Sequence, residues 1–391
     1  MISGPAQTAL VLSGGGAYGA FSVGVMKTLF AGRSPATGYE PLDAGIFTGT
    51  SVGAFNAALM VARSHETTLQ HTLELEDIWL DLVASRPGKC GNGIFRIRGN
   101  PADFLNPACL RHPAHLVSHL AGDTVAAGGY LISRTANFLA SSAALDERIV
   151  NLVNVGSFID SSSFASLLHE VIDERKIRES PLLLRVTATD FIAGVARYFL
   201  NSDFHDGLGI EAVMASTAIP GIFPPVEIDG DIYVDGGVVE NTPLNSAILA
   251  GATHLHVIYL DPNPRFVRLS GEANTLETIL RVYYTVQATK IAEDIETARW
   301  INAGLDAVAA FEANGAISDH AIRDFVRVAA KITASDSRTY KRLVIHRYFP
   351  EAQLGNNLGM LNFDRDAIVR MIAEGQRVAL LHDCRKNRCV S

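Results

Sequence analysis

The sequence predicts an α/β layered fold with a mainly parallel central sheet, and three observations carry that reading. Short apolar runs rich in strand formers alternate with helical patterns in the first half of the chain and again after residue 240. Two of those runs end directly in glycine-rich turns that open helices. The 391 residues are 48% hydrophobic and only 19% charged, which supplies a large buried core.

The elements follow in order. Residues 8–12 (TALVL) are the first strand, ending at Ser13 and Gly14-Gly15-Gly16-Ala17-Tyr18-Gly19. Residues 20–30 then read as a helix with Phe21, Val25 and Leu29 on one face. Residues 44–48 are a second buried strand, followed by Gly49-Thr50-Ser51-Val52-Gly53. Residues 52–63 read as a helix with small residues at its start. A third strand covers 182–189 and a fourth 196–200. Residues 226–234 read as a hairpin around Asp229-Gly230, a pair that suits a tight turn. A helix over 243–250 leads into a buried strand over 255–260. Residues 275–300 and 367–381 read as helices.

Three glycine-rich signals carry chemistry when taken together. A serine between two glycines, placed after a strand and before a helix, is the turn that pushes a hydroxyl out as a nucleophile, and Ser51 sits in that setting. Glycines between a strand and a helix start expose N–H groups to an anion, as in Gly14 to Gly19. In Asp235-Gly236-Gly237 a carboxylate can approach a serine without side-chain crowding. Each signal alone also fits a tight turn, a strand-to-helix connection or a loop aspartate. Nucleophile, anion cradle and base are three parts of one acyl-transfer site.

Competing readings fit less well. Gly14-x-Gly16-x-x-Gly19 matches the dinucleotide fingerprint, but that fingerprint wants an acidic residue ending the next strand. Glu40 and Asp43 precede that strand instead. The phosphate-binding loop fails because Ala20-Phe21 follow Gly19. An ordinary triad hydrolase needs a histidine after the acid, and His254, His256, His320, His346 and His382 lie in no motif-like setting.

These residues resemble the patatin-like phospholipases over roughly residues 8 to 262. The resemblance rests on Gly-Gly-Gly-Ala-Tyr-Gly, Gly-Thr-Ser-Val-Gly and Asp-Gly-Gly in that order. It extends to Ala215-Ser216-Thr217-Ala218-Ile219-Pro220 with Phe223-Pro224-Pro225, and to Asn241-Thr242-Pro243-Leu244. It departs at Tyr18, where many members carry arginine or lysine. The resemblance implies a three-layer α/β/α sandwich and a Ser–Asp dyad without histidine. Ser51 is then the nucleophile, Asp235 the base, and Gly15 and Gly16, with Gly14, the oxyanion hole. Gly19, Gly49, Gly53, Gly236 and Gly237 support the motifs. The expected activity is hydrolysis of fatty-acyl esters of phospholipids or related lipids, of phospholipase A or lysophospholipase type. A non-catalytic lipid-binding protein is the alternative, and a dinucleotide-binding enzyme a remote one.

The expected organisation is a catalytic domain over 8–262 with a cap or flap inserted around 90–160, and a mainly helical extension over 263–391 packed on it. Residues 121–145 read as the flap or as ordinary core, with Leu131, Ile132 and Phe138 as candidate lipid contacts. The net charge of −8 argues against a nucleic-acid surface. Neither a basic leader with a long apolar stretch nor a run of 18 apolar residues is seen. A cytoplasmic protein touching lipid surfaces reversibly is therefore expected. Cys90, Cys109, Cys384 and Cys389 show no metal-ligand spacing and fit a reducing compartment. No metal or cofactor is expected, and the basic C-terminal segment reads as a solvated end.

Overall fold

Side chains alternate across a strand, so the first strand, β1 (Thr8–Leu12), presents two apolar faces. Ala9 and Val11 enter a core with Leu244, Ala247, Ile295 and Ala298. Leu10 and Leu12 enter a larger core with Phe21, Phe47, Phe55 and Ile368. A sheet that is apolar on both faces must be covered on both, and three layers result. The computed structural model describes residues 7–63, 68–85, 92–97, 107–110, 117, 120–125, 128, 159–260, 275–313, 341–351, 354 and 359–391.

The remaining strands are β2 (Ile46–Thr50), β3 (Leu183–Asp190), β4 (Val195–Leu200), β5 (Val226–Ile228), β6 (Asp231–Asp235), β7 (His254–Ile258) and β8 (Val344–Tyr348). They form a sheet of eight strands in the order β8-β7-β1-β2-β3-β6-β5, with β4 paired to β3. The five strands from β8 to β3 run parallel. The β3–β4, β3–β6 and β5–β6 pairs are antiparallel. The expected hairpin turns at Asp229-Gly230, both with positive φ.

Register on β3 positions the site. Thr50, the last residue of β2, pairs with Thr187, and Asp235, the last residue of β6, pairs with the next residue, Ala188. Two strands far apart in sequence therefore end at adjacent slots of β3.

Helices α1 (Gly19–Phe30), α2 (Val52–Ala62), α3 (Thr68–Ile78), α4 (Leu208–Ser216), α5 (Thr275–Ala313) and α6 (Arg365–Leu380) flank the sheet. Helix α6 crosses α1 at backbone distance. A Cβ at Gly24 would fall 1.9 Å from the Ile372 carbonyl oxygen, and one at Gly375 would fall 2.1 Å from that of Phe21. The C-terminal region is thus built into the sandwich. β8 extends its sheet, and Ile368 and Met371 of α6 complete the larger core.

The C-terminal end is solvated at Arg385, Lys386 and Arg388 as expected, but its last residues are held to the sheet. Val390 is buried and exchanges two backbone hydrogen bonds with Ile345 of β8, at 2.8 and 3.0 Å. Cys109 is disulfide-bonded, contrary to the expectation of unpaired thiols, whereas Cys384 and Cys389 are free. Much of the 90–160 insertion lies outside the described residues, including Leu131, Ile132 and Phe138. Its described base is a two-residue antiparallel pairing of Arg96–Ile97 with Ile159–Asp160, where Arg96 also holds Asp123 at 2.5 and 2.9 Å. Among the described residues no helix is long and apolar enough to cross a membrane.

Candidate active site

Ser51 joins β2 to α2 with φ 55° and ψ −127°. A side chain held at positive φ carries strain of about 1–3 kcal/mol, which the surrounding structure must over-determine. The glycines of its turn do this. A Cβ at Gly49 would fall 2.2 Å from the Gly53 carbonyl oxygen, so the strand end and the first helical turn close on each other. Ser216 adds a second restraint, accepting the Ser51 N–H at 2.8 Å and donating its hydroxyl to the Thr187 carbonyl at 2.6 Å.

The glycine loop after β1 lies against this turn. A Cβ at Gly14 would stand 3.0 Å from the Ser51 Cβ and 2.4 Å from Asn241 Oδ1. Asn241 clamps the loop from both sides: its carbonyl accepts the Gly14 N–H at 3.1 Å and its side-chain amide donates to the Gly14 carbonyl at 3.3 Å. The Gly14 N–H is therefore already engaged, which argues against its share in an oxyanion hole. Among the described residues the N–H groups of Gly15 and Gly16 take no protein partner. Helix α2 begins at Val52, whose N–H is one of the groups a first helical turn leaves without an intrahelical acceptor. These N–H groups can hold an oxyanion beside the serine.

Asp235 is fully buried at the end of β6. Its backbone N–H bonds the Ala218 carbonyl at 2.9 Å, and its carbonyl accepts the Thr189 hydroxyl at 3.0 Å. The carboxyl Oδ1 accepts the Gly237 N–H at 2.7 Å, while Oδ2 has no hydrogen-bond partner. Burial pushes the pKa from 3.8 to about 7, against the smaller opposing pull of the Ser51 hydroxyl and the Gly237 N–H. Serine and carboxyl are thus near enough to influence each other, yet do not close to a hydrogen bond of ordinary geometry. Catalytic hydrogen bonds are commonly long before substrate binds.

Ser51 and Gly16 open onto a cavity of about 780 Å³ including its mouth, walled mainly by apolar side chains such as Phe55, Trp79, Phe164, Met214 and Phe223. An apolar lining of this kind suits an acyl chain better than a sugar or nucleotide. The Trp79 indole is fixed by donating to Asn56 Oδ1 at 2.9 Å. Tyr18 is buried in the core and does not line the cavity. No described histidine lines it either. His256 lies on β7 with Nδ1 2.9 Å from the Tyr348 hydroxyl, and burial pushes its pKa down to about 3. His320 lies outside the described residues. The structure also adds residues with no site role in the sequence reading. Gln287 and Lys290 of α5 donate to the carbonyls of Gly237 and Val239, backing the loop that carries Asp235.

Comparison with known proteins places the chain in a family. The chain is similar to uncharacterised NTE family proteins of Mycobacterium bovis and Mycobacterium tuberculosis, 24% identical over 198 residues, covering 49% of this chain and 53% of each relative. It spans about half the length of those curated relatives. A structural comparison also returned the crystal structure of VipD from Legionella pneumophila, at 12% identity and a TM-score of 0.30, over 95% of this chain and 67% of that one, a likeness too remote to carry weight. The family match is far more extensive: residues 10–248, more than half of the chain, fit the patatin-like phospholipase description from within β1 to the helix that follows the aspartate loop. The chain belongs to the patatin-like phospholipase family, a family of lipid hydrolases.

Proposed function

We propose that this protein is a serine lipid acyl hydrolase working through Ser51 and Asp235, of phospholipase A or lysophospholipase type. The observation that supports it most is the partnerless, buried Oδ2 of Asp235, on a carboxyl that the Ser51 hydroxyl already acts upon. Ser51 Oγ bonds to the ester carbonyl carbon while its proton passes to Asp235. The oxyanion is held by the N–H groups of Gly15 and Gly16, joined by that of Val52. Collapse breaks the ester C–O bond, and Asp235 returns the proton to the leaving alcohol. Water then attacks the acyl-enzyme, giving its proton to Asp235, and the freed Ser51 oxygen recovers it. A carboxyl near pH 7 is suited to both halves, because it takes and gives a proton at similar driving force.

Lipid esters lie in aggregates, so the reading includes reversible contact with a lipid surface. The β3–β4 turn supplies apolar side chains for it: Phe191, Ile192 and Val195 are 54%, 78% and 54% exposed. Thr187 is level with Thr50, and β3 runs parallel to β2. Phe191 therefore lies four residues further on at the end of the sheet that bears Ser51, roughly 13 Å beyond it.

The test is a panel of phospholipid, lysophospholipid and short-chain esters, with the wild type beside Ser51→Ala. The expected loss in kcat/KM is about 10³-fold or more with the fold intact. Equal activity in the variant would remove Ser51 from the chemistry. A wild type that binds liposomes but hydrolyses no ester would be a lipid-binding protein instead.

A further inference from the structure

The C-terminal end holds a cluster that the acyl-hydrolase site does not use. His346 comes from β8, the edge strand, and His382, Cys384 and Cys389 come from the segment after α6. One ligand atom from each of the four lies within 4.8 Å of all the others. His382 Nε2 is 3.4 Å from Cys384 Sγ and 3.5 Å from Cys389 Sγ, and His346 Nδ1 is 3.4 Å from Cys384 Sγ. In a tetrahedral zinc site, with Zn–S about 2.3 Å and Zn–N about 2.05 Å, a nitrogen and a sulfur ligand stand about 3.6 Å apart. All three observed separations are within about 0.2 Å of that edge length.

The surroundings are also built. Asn387 Nδ2 lies 3.1 Å from His382 Nδ1, the ring nitrogen left over when Nε2 binds a metal. Turned about its amide, Asn387 would accept an Nδ1–H, the outer contact that orients ligating histidines. The loop between the cysteines is closed by the Cys389 N–H on the Cys384 carbonyl at 3.0 Å and the Asn387 N–H on the Asp383 carbonyl at 2.8 Å. Arg347 donates to the Asn387 and Arg388 carbonyls at 3.5 and 3.3 Å, pinning the loop to β8. His346 is steadied by stacking on His256, with centroids 4.8 Å apart.

We propose that His346, His382, Cys384 and Cys389 form a structural zinc site that clips the C-terminal segment to the sheet edge. Two thiolates and two imidazoles in tetrahedral reach favour zinc over calcium or magnesium, which take oxygen ligands. Four protein ligands leave no open position, so the site fastens and does not catalyse. On binding, the two thiols lose their protons to solvent and no electrons move. The sequence spacing is His-x-Cys-x₄-Cys with a histidine 36 residues upstream, which is why the local pattern gives no zinc signal.

The full chain is purified in reductant, stripped with chelator and titrated with Zn²⁺ against a chromophoric competitor, and Co²⁺ is bound in parallel. The expected result is one zinc per chain with sub-micromolar affinity. The cobalt form should show tetrahedral visible bands and thiolate charge-transfer bands, the latter weakened by roughly half in Cys384→Ser. Zinc should also slow tryptic cleavage at the exposed Arg385, Lys386 and Arg388. Substoichiometric zinc in the reduced wild type overturns the proposal, as does an octahedral cobalt spectrum without charge transfer. These wild-type readouts decide even if the variant does not fold, and none depends on ester hydrolysis. A Cys384–Cys389 disulfide whose reduction fails to restore zinc binding also contradicts it.

Discussion

Asp235 meets opposing demands at the scale of one residue. Burial raises its pKa from 3.8 to about 7, so the folded protein holds that proton where the unfolded chain has lost it. Between these values the native state binds more protons, and stability falls as pH rises. Above about 7 the loss is complete, amounting to about 4 kcal/mol at most. The amide introduced by Asp235→Asn behaves as a carboxyl that never ionises. Thermal unfolding of Asp235→Asn and the wild type should therefore diverge in favour of the variant from about pH 4 to about pH 7, then run parallel. A constant difference across that range would mean that the carboxyl is not strained by burial. Ser51, Gly49 and Gly53 were legible in the sequence because a strained turn with touching backbones leaves few residue choices. Ser216 and Asn241 carried no such mark as site-builders. Their polar groups bond backbone atoms of residues 165 and 227 positions away, and no local pattern encodes such a partner.

Among the elements, the strands and helices read over 8–63 and 182–260 lie within a few residues of where they form, because each has its own period, whereas α3, α4 and β8 were not read and α5 runs on to Ala313. β1 alternates between two cores, and the Asp229-Gly230 hairpin forms where its turn chemistry requires. What periodicity does not give is register between distant strands, and it is register that sets Asp235 beside Ser51 on β3. The exposed β3–β4 turn was likewise read as a strand end and not as a contact. Replacing Phe191, Ile192 and Val195 by serine removes apolar area worth about 25 cal/mol per Å² at a lipid surface. Liposome co-sedimentation should fall at least tenfold in that variant, persist at high salt in the wild type, and leave hydrolysis of soluble short-chain esters unchanged. Equal loss on soluble and aggregated substrate would assign these side chains to packing of the site.

For the whole molecule, the three-layer sandwich and its family followed from glycine motifs and strand–helix alternation within residues 10–248. The C-terminal third was read as a helical extension because β8 is only five residues long, carries His346 and Arg347, and follows a long gap. Its place beside β7 depends on parallel pairing with a strand from far earlier in the chain. The zinc ligands escaped for the same reason, one histidine lying on that strand and three ligands on the end that folds back to it. The catalytic claim spans the molecule too, since Ser51, Asp235 and the glycine loop come from separate strands of one sheet. The rate at which a fluorophosphonate modifies Ser51, followed by intact mass across pH, tests it most directly. The account predicts a single modified serine. Its rate should rise through about pH 7 in the wild type. It should be lower by about 10²–10⁴-fold and lose that rise in Asp235→Asn, and be preserved in His256→Ala. An unchanged rate and profile in Asp235→Asn, or a His256→Ala variant as slow as the aspartate variant, would contradict it.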